Sequence, residues 1–284
     1  MKKAYSLLEL SIVVIIIGVL ISGVAAGFGM IRASKISNTR LFTSKSPVIE
    51  TSGLVAWYET SLKESLDGNQ ATDGAQITNW YDLNPGSNSG VAGATKKNKL
   101  ESVSPGATFI SDGINGTPSI SFASNARFTL SAFYQGTSSQ NTIFLVLRPL
   151  STLSATAQVV LDSISTAYTT SIGLENAAIN LNTGTGVDSA ATTLSSGTDY
   201  VISAYFNNAS SQAFVNSAST ALAAENTGTN QLTGLTIGTN KGGTAGFTGL
   251  ISEVIIFNRV LKSQERKDIM NYLSKKYKIS VAGL

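Results

Sequence analysis

The chain opens with an apolar run that continues into a polar stretch without an interruption. From Leu10 to Ile31 there are 22 consecutive residues without an ionisable side chain. At a rise of ~1.5 Å per residue, a helix of this length is about 33 Å long and crosses a hydrocarbon core of ~30 Å. No helix breaker follows before Pro47. The pattern therefore predicts one helix over residues 5–46 that spans a membrane with residues 10–31.

After Gly53 the pattern changes to short apolar or alternating runs separated by turn residues such as Asp112-Gly113. Runs of this kind are typical of β-strands. Many short strands and little helix indicate two packed sheets, so we predict a mainly β fold that forms a sandwich. The predicted strands are Gly53–Tyr58, Gln76–Trp80, Ser119–Phe122, Ala126–Leu130, Asn141–Leu147, Ala157–Leu161, Thr170–Leu174, Ala177–Leu181, Asp199–Phe206, Gln212–Val215, Gly234–Ile237 and Leu250–Phe257.

A second helix is predicted close to the C-terminus, over residues 264–277. Ser263 is a favourable N-cap, and Ile269, Leu273 and Tyr277 recur at the spacing of one helix face. That face is expected to lie on the sandwich. Acidic side chains near its start and basic ones near its end suit the helix dipole, namely Glu265, Asp268, Lys275, Lys276 and Lys278.

The amino-acid composition excludes several kinds of catalytic and metal site. The chain has no Cys and no His, which excludes disulfides, thiolate nucleophiles, Ser-His-Asp triads and nearly all zinc sites. The first 40 residues hold five of the 20 basic side chains and one of the 17 acidic ones, which leaves 15 and 16 for the rest. The basic excess therefore flanks the apolar helix, and no nucleic acid partner is predicted.

The N-terminal residues also carry a recognisable signature. Lys2, Lys3 and Ala4, followed by Tyr5 and by Glu9, resemble the cleavage and methylation signature of type IV prepilins and pseudopilins. That family has a short basic leader, a small residue, an aromatic residue and a Glu at the fifth mature position. Ala4 stands where Gly is usual, and Tyr5 stands where Phe is usual. The resemblance implies that residues 1–4 are a leader removed by prepilin peptidase, and that Tyr5 is N-methylated.

Glu9 has a physical role in this interpretation. A lone charge in lipid is costly, and the mature amine of Tyr5 is cationic. In a bundle of such helices, Glu9 of one subunit is expected to pair with the Tyr5 amine of its neighbour and to set the assembly register. Two alternatives stay open: a secretory signal peptide cut after Ala26, and a plain signal anchor. A signal-peptide apolar region normally runs only ~7–15 residues and has no acid near its start.

The rest of the chain resembles a second family. Gly53–Tyr58 and Ile77–Leu83 look like the opening of a concanavalin A-like, laminin-G-like jelly roll. Gly249–Leu261 and Tyr272–Tyr277 are similar to its end. The resemblance implies a jelly-roll head over residues 53–279. In this family the sugar-binding face lies on variable loops and the concave sheet, so no ligand-binding residue is assigned.

The arrangement of the carboxylates does not match glycosidase chemistry. Such enzymes on this fold place two or three acids on one strand at i, i+2 or i+4, and retaining chemistry needs them ~5–5.5 Å apart. No such cluster occurs. Glu253 is the single acid on its strand and shares a face with Ile251, Ile255 and Phe257. We therefore predict a buried structural carboxylate, no catalytic residue, and a protein that is not an enzyme.

Other candidate sites have simpler explanations. The stretch from Asp67 to Gly74 is rich in oxygen ligands but has only two carboxylates, so turn chemistry is preferred over calcium, and no cofactor is predicted. Four aromatic side chains are candidates for stacking on sugars, and we expect both tryptophans to fill the core instead. The four are Trp57, Tyr58, Trp80 and Tyr81. Lys96, Lys97 and Lys99 are expected to form a solvated loop.

These observations predict a type IV pilin-like filament subunit, of the minor or tip class, whose lectin-like head binds a glycan or a surface protein. It would cross a bacterial inner membrane once, with Lys2 and Lys3 on the cytoplasmic side, and pack against other pilin subunits. Two alternatives remain. One is a carbohydrate-active enzyme anchored in the envelope, and the other is a pseudopilin of a type II secretion system.

Overall fold

The structure is a computed structural model with side chains. It describes residues 6–87, 98–103, 106–123, 125–165, 169–183, 188–190, 194–222 and 227–284, with Ala25 and residues 188–190 described by their backbone. The predicted cleavage residues Ala4 and Tyr5 lie outside the described residues, as do Lys96 and Lys97.

The first element is the long helix α1 (Leu7–Ser44). Ser6 caps it: the Ser6 hydroxyl accepts the Glu9 N–H at 3.2 Å, and the Glu9 carboxylate accepts the Ser6 N–H at 2.8 Å. Its apolar side chains remain exposed along the run that ends at Ile31. Among the described residues, α1 is the one helix long and apolar enough to cross a membrane or to serve as a signal sequence.

The described part of the chain then forms fifteen strands in two antiparallel sheets, which confirms the predicted mainly β sandwich. The sequence pattern does not predict β3, β4 and β11, and only two residues of the predicted strand Gln76–Trp80 form β2. The strands are β1 (Leu54–Glu59), β2 (Asn79–Trp80), β3 (Leu100–Val103), β4 (Thr108–Ile110), β5 (Ser119–Phe122), β6 (Arg127–Leu130), β7 (Asn141–Pro149), β8 (Gln158–Asp162), β9 (Ser171–Glu175), β10 (Ala178–Asn182), β11 (Asp188–Ala190), β12 (Tyr200–Phe206), β13 (Gln212–Val215), β14 (Leu235–Ile237) and β15 (Gly249–Phe257).

The order of the strands separates two layers. The first sheet runs β13-β12-β7-β15-β5-β4, with β1 also paired to β15. The second sheet runs β11-β10-β9-β8-β14-β6-β3-β2. Side chains from the facing sides of both sheets form the main core, because alternate residues of each strand point inwards.

Strand β15 corrects one prediction about Glu253. The register of β15 against β7 shifts between Ile251 and Glu253, which is the mark of a β-bulge. Ile251 therefore joins the core between the sheets, whereas Ile255 and Phe257 point to the opposite face. Glu253 shares its face with Ile255 and Phe257 but not with Ile251, because the bulge adds one residue and reverses the alternation.

The outer face of the first sheet is covered by α2 (Ser263–Tyr277), whose Ile269, Leu273 and Tyr277 are fully buried. The predicted N-cap is wrong by one position: Lys262 is the N-cap, and Ser263 is the first helical residue. The reason is Glu265, whose carboxylate accepts the Lys262 N–H at 2.8 Å.

The C-terminal half of α1 packs against α2 and against the sandwich. Thr39 and Thr43 are buried there, and the Arg40 guanidinium donates to the Ser61 carbonyl oxygen at 2.8 Å. Nearer the apolar run, Arg32 lies 3.7 Å from the Asp112 carboxylate. The long helix is therefore joined to the first-sheet side of the sandwich.

Candidate functional site

A hollow lies on the outer face of the second sheet, on the side of the sandwich opposite α2. It has a volume of about 280 Å³ and is formed by three neighbouring strands, β8, β9 and β10. Inward residues of β9 and β10, such as Ile172 and Leu181, fill the core, and the alternate residues face the hollow. Its lining consists of Ala157, Val159, Ser171, Gly173, Glu175, Asn180 and Asn182.

Gly173 opens the floor of the hollow. It lies in the middle of β9, directly opposite Asn180 of β10 and Val159 of β8. A Cβ atom placed on it would lie 3.5 Å from the Gln158 carbonyl oxygen, 3.8 Å from Val159 and 4.0 Å from Asn180, which are ordinary contacts. Neither packing nor a left-handed backbone therefore demands a glycine here. The feature that depends on Gly173 is the empty space above it.

Asn180 lines this space and holds a buried acceptor without a partner. Its amide nitrogen donates to the Glu175 carboxylate at 3.1 Å, but its oxygen Oδ1 has no hydrogen-bond partner. The residue is only 7% exposed. A buried polar atom without a partner costs about 1–3 kcal/mol, so this oxygen in the wall of the hollow is a feature that calls for a functional explanation.

The charge of the lining residues restricts which ligands can bind in the hollow. Among the described lining residues Glu175 is the one charged group, and the other polar side chains are Ser171, Asn180 and Asn182. Hydroxyl and amide groups of a ligand find both donors and acceptors here. An acidic ligand would meet a carboxylate and no cation among these residues.

A second polar cluster lies under α2 and is closed to solvent. The Lys276 ammonium lies 2.7 Å from the Glu253 carboxylate and 3.0 Å from the Glu59 carboxylate, and all three side chains are at most 1% exposed. Glu59 and Glu253 are direct cross-strand partners on β1 and β15. The sequence did not predict the Glu59–Glu253 pair, because the two acids lie on different strands that are far apart in the chain.

Each charge in this cluster is heavily hydrogen-bonded. Glu253 accepts from Trp57 Nε1 at 2.7 Å and from the Tyr272 and Tyr277 hydroxyls at 2.8 Å. Burial raises the pKa of Glu59, but Lys276 and hydrogen bonds from residues 61 and 62 outweigh it, so its pKa is lowered overall. Burial lowers the pKa of Lys276, and the two acids outweigh it, so its pKa is raised. The cluster joins α2 to β1 and β15, which agrees with the predicted structural role of Glu253.

The four aromatic candidates do not line the hollow. Trp57 and Trp80 are buried, as predicted, and each indole N–H has a partner: Glu253 for Trp57 and the Glu59 carbonyl oxygen for Trp80. Tyr58 is fully buried as well. The Tyr81 hydroxyl donates to Asp67 at 2.7 Å.

The carboxylates of the calcium candidate are used in separate turns. Asp67 accepts from Asn79 at 2.9 Å as well as from Tyr81, whereas Asp73 accepts the Ser111 N–H at 2.7 Å. Within the described ranges, no group of three or more acidic side chains is placed to hold a metal ion. Outside this stretch, Lys99 forms an ion pair with Glu101 at 2.7 Å.

Glu9 has a local partner in the structure. Its carboxylate completes the cap of α1 with Ser6, so the acid has a role even within one chain. Pairing with the Tyr5 amine of a neighbouring subunit stays a prediction, since residue 5 lies outside the described residues.

The sequence did not predict the residues of the hollow, although their alternation with apolar residues is visible in it. Ser171, Gly173 and Glu175 alternate with apolar residues on one strand, and Asn180 and Asn182 do so on the next. Both strands were predicted, but no functional role was assigned to their polar positions.

The two antiparallel sheets and the hollow on an outer face define a jelly-roll-like β-sandwich. No family model matches the chain, and no curated protein matches it. Among solved structures, it is similar to a GH54 α-L-arabinofuranosidase, with TM-score 0.55, 11% identity, and coverage of 79% of this chain and 63% of that one. It is also similar to the binding domain of Paraclostridial Mosquitocidal Protein 1, with TM-score 0.53, 14% identity, and coverage of 78% and 52%.

A third similar structure is the Trypanosoma rangeli sialidase, with TM-score 0.50, 12% identity, and coverage of 80% of this chain and 33% of that one. The chain thus spans a third of the sialidase and less than two thirds of the arabinofuranosidase. The prediction that the protein is not an enzyme is contradicted, because chains with this fold include these two glycoside hydrolases. At such low identity the likeness establishes the fold alone.

Proposed function

We propose that this chain is a membrane-anchored protein that binds carbohydrate in the hollow of the second sheet. The observation that carries the proposal is the pair formed by Gly173 and Asn180: a glycine that only the empty space requires, beside a buried acceptor without a partner. The similar folds of a sialidase and an arabinofuranosidase support a carbohydrate-related role.

The chemistry of the lining favours a neutral sugar. A sugar ring presents hydroxyl groups that both donate and accept, which suits Asn180, Asn182 and Ser171, while the Glu175 carboxylate is an acceptor. The volume of about 280 Å³ is close to the lower end of ligand sites, which span ~300–1,000 Å³. One hollow of this kind binds weakly, and several copies on one surface raise the avidity without new contacts.

The test is a glycan array on the intact protein in detergent, followed by calorimetric titration of each hit. We expect neutral glycans to bind and acidic ones to bind less. Asn180→Ala and Glu175→Gln should each weaken binding about tenfold, since a hydrogen bond to a charged or buried group contributes about 1–3 kcal/mol. Asn79→Ala, on a different strand edge, is the control. Equal binding by all variants would contradict the proposal.

The finer proposal concerns the anchor. We infer that residues 1–4 are a leader, that residues 5–46 form a pilin-like helix, and that residues 53–279 are the exported head. The signature around Ala4, Tyr5 and Glu9 supports this, as does the exposed apolar surface of α1. Its proposed location is a bacterial inner membrane with a cytoplasmic N-terminus, and its proposed partners are prepilin peptidase and other pilin subunits in a pilus or pseudopilus.

Glycan cleavage in the same hollow is a second candidate function. The observation that favours it is the position of a carboxylate, Glu175, at the wall of the hollow. A hydrolase would need a second carboxylate about 5–10 Å away. A hydrolysis assay on every glycan that binds decides between the two: turnover that Glu175→Gln abolishes identifies an enzyme, and unchanged glycan identifies a binding protein.

A further inference from the structure

A separate, smaller pocket lies where α1 meets the sandwich. It has a volume of about 80 Å³, which exceeds the space of one water molecule several-fold. Helix α1 contributes one wall, the loop before β5 another, and the end of α2 the third. The lining side chains are Lys35, Asn38, Thr39, Phe42, Asn115, Thr117, Lys276 and Lys278.

The pocket is cationic. No carboxylate is among its described lining residues, whereas Lys35 and Lys278 both border it. Within the described part of the chain, neither of these two ammonium groups forms an ion pair or a hydrogen bond. The ammonium of Lys276 is held by Glu59 and Glu253 behind the pocket. Two lysines without a carboxylate partner among the described residues therefore border one small space.

Lys278 is placed there at a cost to local structure, and Lys35 packs closely on the neighbouring loop. Lys278 ends α2 with a left-handed backbone, φ 53°, where glycine is the usual residue because a Cβ atom is strained. Lys35 lies across the loop at Gly116, so closely that a Cβ atom on that glycine would be 2.6 Å from Nζ. Gly116 itself has φ +81°. The φ of Gly116 already requires a glycine there, whereas the strained backbone of Lys278 points to a use for its ammonium group.

We propose that this junction pocket binds a phosphate group, with Lys35 and Lys278 as its two cationic ligands. The expected source is the headgroup of a membrane lipid. Lys35 is four residues beyond Ile31, the last residue of the uncharged run, or about 6 Å along the helix axis. The headgroup layer extends about 5–8 Å beyond the hydrocarbon core on each side. Lys35 therefore lies at the depth of lipid phosphates if α1 crosses the bilayer.

The test follows thermal unfolding of the full chain in non-ionic detergent, read by the fluorescence of its two buried tryptophans. Three probes are added separately: short-chain phosphatidylglycerol, diacylglycerol of the same chain length, and inorganic phosphate. A ligand that binds only the folded state raises the midpoint. We expect phosphatidylglycerol to raise it, and diacylglycerol to leave it unchanged.

Three variants locate the site. Lys35→Gln and Lys278→Gly should each weaken the response to the phospholipid about tenfold. Lys275→Gln, an exposed lysine one turn away that does not line the pocket, is the matched control. Lys278→Gly should also raise the midpoint without ligand, because it relieves the left-handed strain, so lost binding is distinguished from a damaged fold.

The outcomes separate the sources of the phosphate. A response to inorganic phosphate as strong as that to the phospholipid supports the anion site and refutes the lipid as its source. A response to the phospholipid alone supports both parts of the proposal. No response to either probe, or equal responses by wild type and all three variants, overturns it.

Discussion

Two residues carry most of the functional argument, and both are unusual choices for a strand. A glycine weakens a strand, and an unpaired buried amide oxygen costs free energy. Gly173 and Asn180 are paired across β9 and β10, so the weakened strand and the unpaired amide oxygen occur at the same position in the sheet. Functional sites are where such local costs are expected, because selection for binding offsets them.

Asn180→Ala should show this directly. The substitution removes a buried oxygen without a partner and one hydrogen bond to a partly exposed carboxylate. The free energy of unfolding should therefore stay within about 1 kcal/mol of wild type, while glycan binding falls. Urea unfolding measures the first quantity and titration the second. If the free energy of unfolding falls by more than 2–3 times this estimate of about 1 kcal/mol, Asn180 is mainly structural.

Lys276 is the opposite kind of residue, because its ammonium is buried between two carboxylates that already occupy it. Lys276→Met leaves the buried Glu59 and Glu253 facing each other without a cation, and breaking such a cluster costs about 3–5 kcal/mol. Chemical unfolding of the variant should show that loss, whereas Lys275→Met on the exposed side should change little. A Lys276→Met protein as stable as wild type would refute the role assigned to the cluster.

At the scale of elements, the sequence predicted both helices and twelve of the strands, because their apolar periodicity is strong. Strands β3 and β4 were missed because each is short and lacks regular alternation, as in Leu100–Val103, where two polar residues stand side by side. The face of Ile251 was wrong because a bulge leaves no mark in the hydrophobic pattern. The Glu59–Glu253 pair and the hollow depend on strand order, which single-strand patterns do not contain.

The start of α2 offers a prediction about pH. The Glu265 carboxylate forms two hydrogen bonds with Arg259, and these lower its pKa from 4.5 to about 2. A folded-state pKa below the unfolded one stabilises the fold above pH ~4.5 and loses that effect as the pH falls towards 2. Glu265→Gln should therefore show a flatter loss of stability over this acid range than wild type.

The control for this effect is Asp268→Asn, on the same helix but hydrogen-bonded only to Gln264 among the described residues. Thermal midpoints measured at intervals from pH 5 to pH 2 give the comparison. An identical acid profile for wild type and Glu265→Gln would mean that the Arg259 pair does not contribute to stability.

For the whole molecule, the arrangement of layers places α1 and the hollow on opposite faces. Helices α1 and α2 lie on the outer face of the first sheet, and the hollow lies on the outer face of the second. A helix that packs in a membrane or in a filament therefore leaves the hollow open. This is the geometry expected of a binding surface that is displayed outwards.

The proposed anchor is tested by the N-terminus of the exported protein. Prepilin processing predicts a mature chain that begins at N-methylated Tyr5 and retains Glu9, which intact-mass and peptide spectrometry read directly. Glu9→Gln should be cleaved normally but enter filaments poorly, because the neighbouring Tyr5 amine loses its charged partner. A mature N-terminus at Gly27, or an uncut Met1, contradicts the pilin-like anchor. Neither result bears on the proposed glycan site.

The central claim, that sugar occupies the space above Gly173, is tested most directly by filling that space. A Cβ atom fits at Gly173 without strain, so Gly173→Val should fold and place its methyl groups in the hollow. Gly68→Val, at an exposed glycine with no atom within 4 Å of its Cβ position, is the matched control. Titration with one glycan should give wild-type affinity for Gly68→Val and no measurable binding for Gly173→Val at an unchanged melting temperature. Wild-type affinity in folded Gly173→Val would contradict the account.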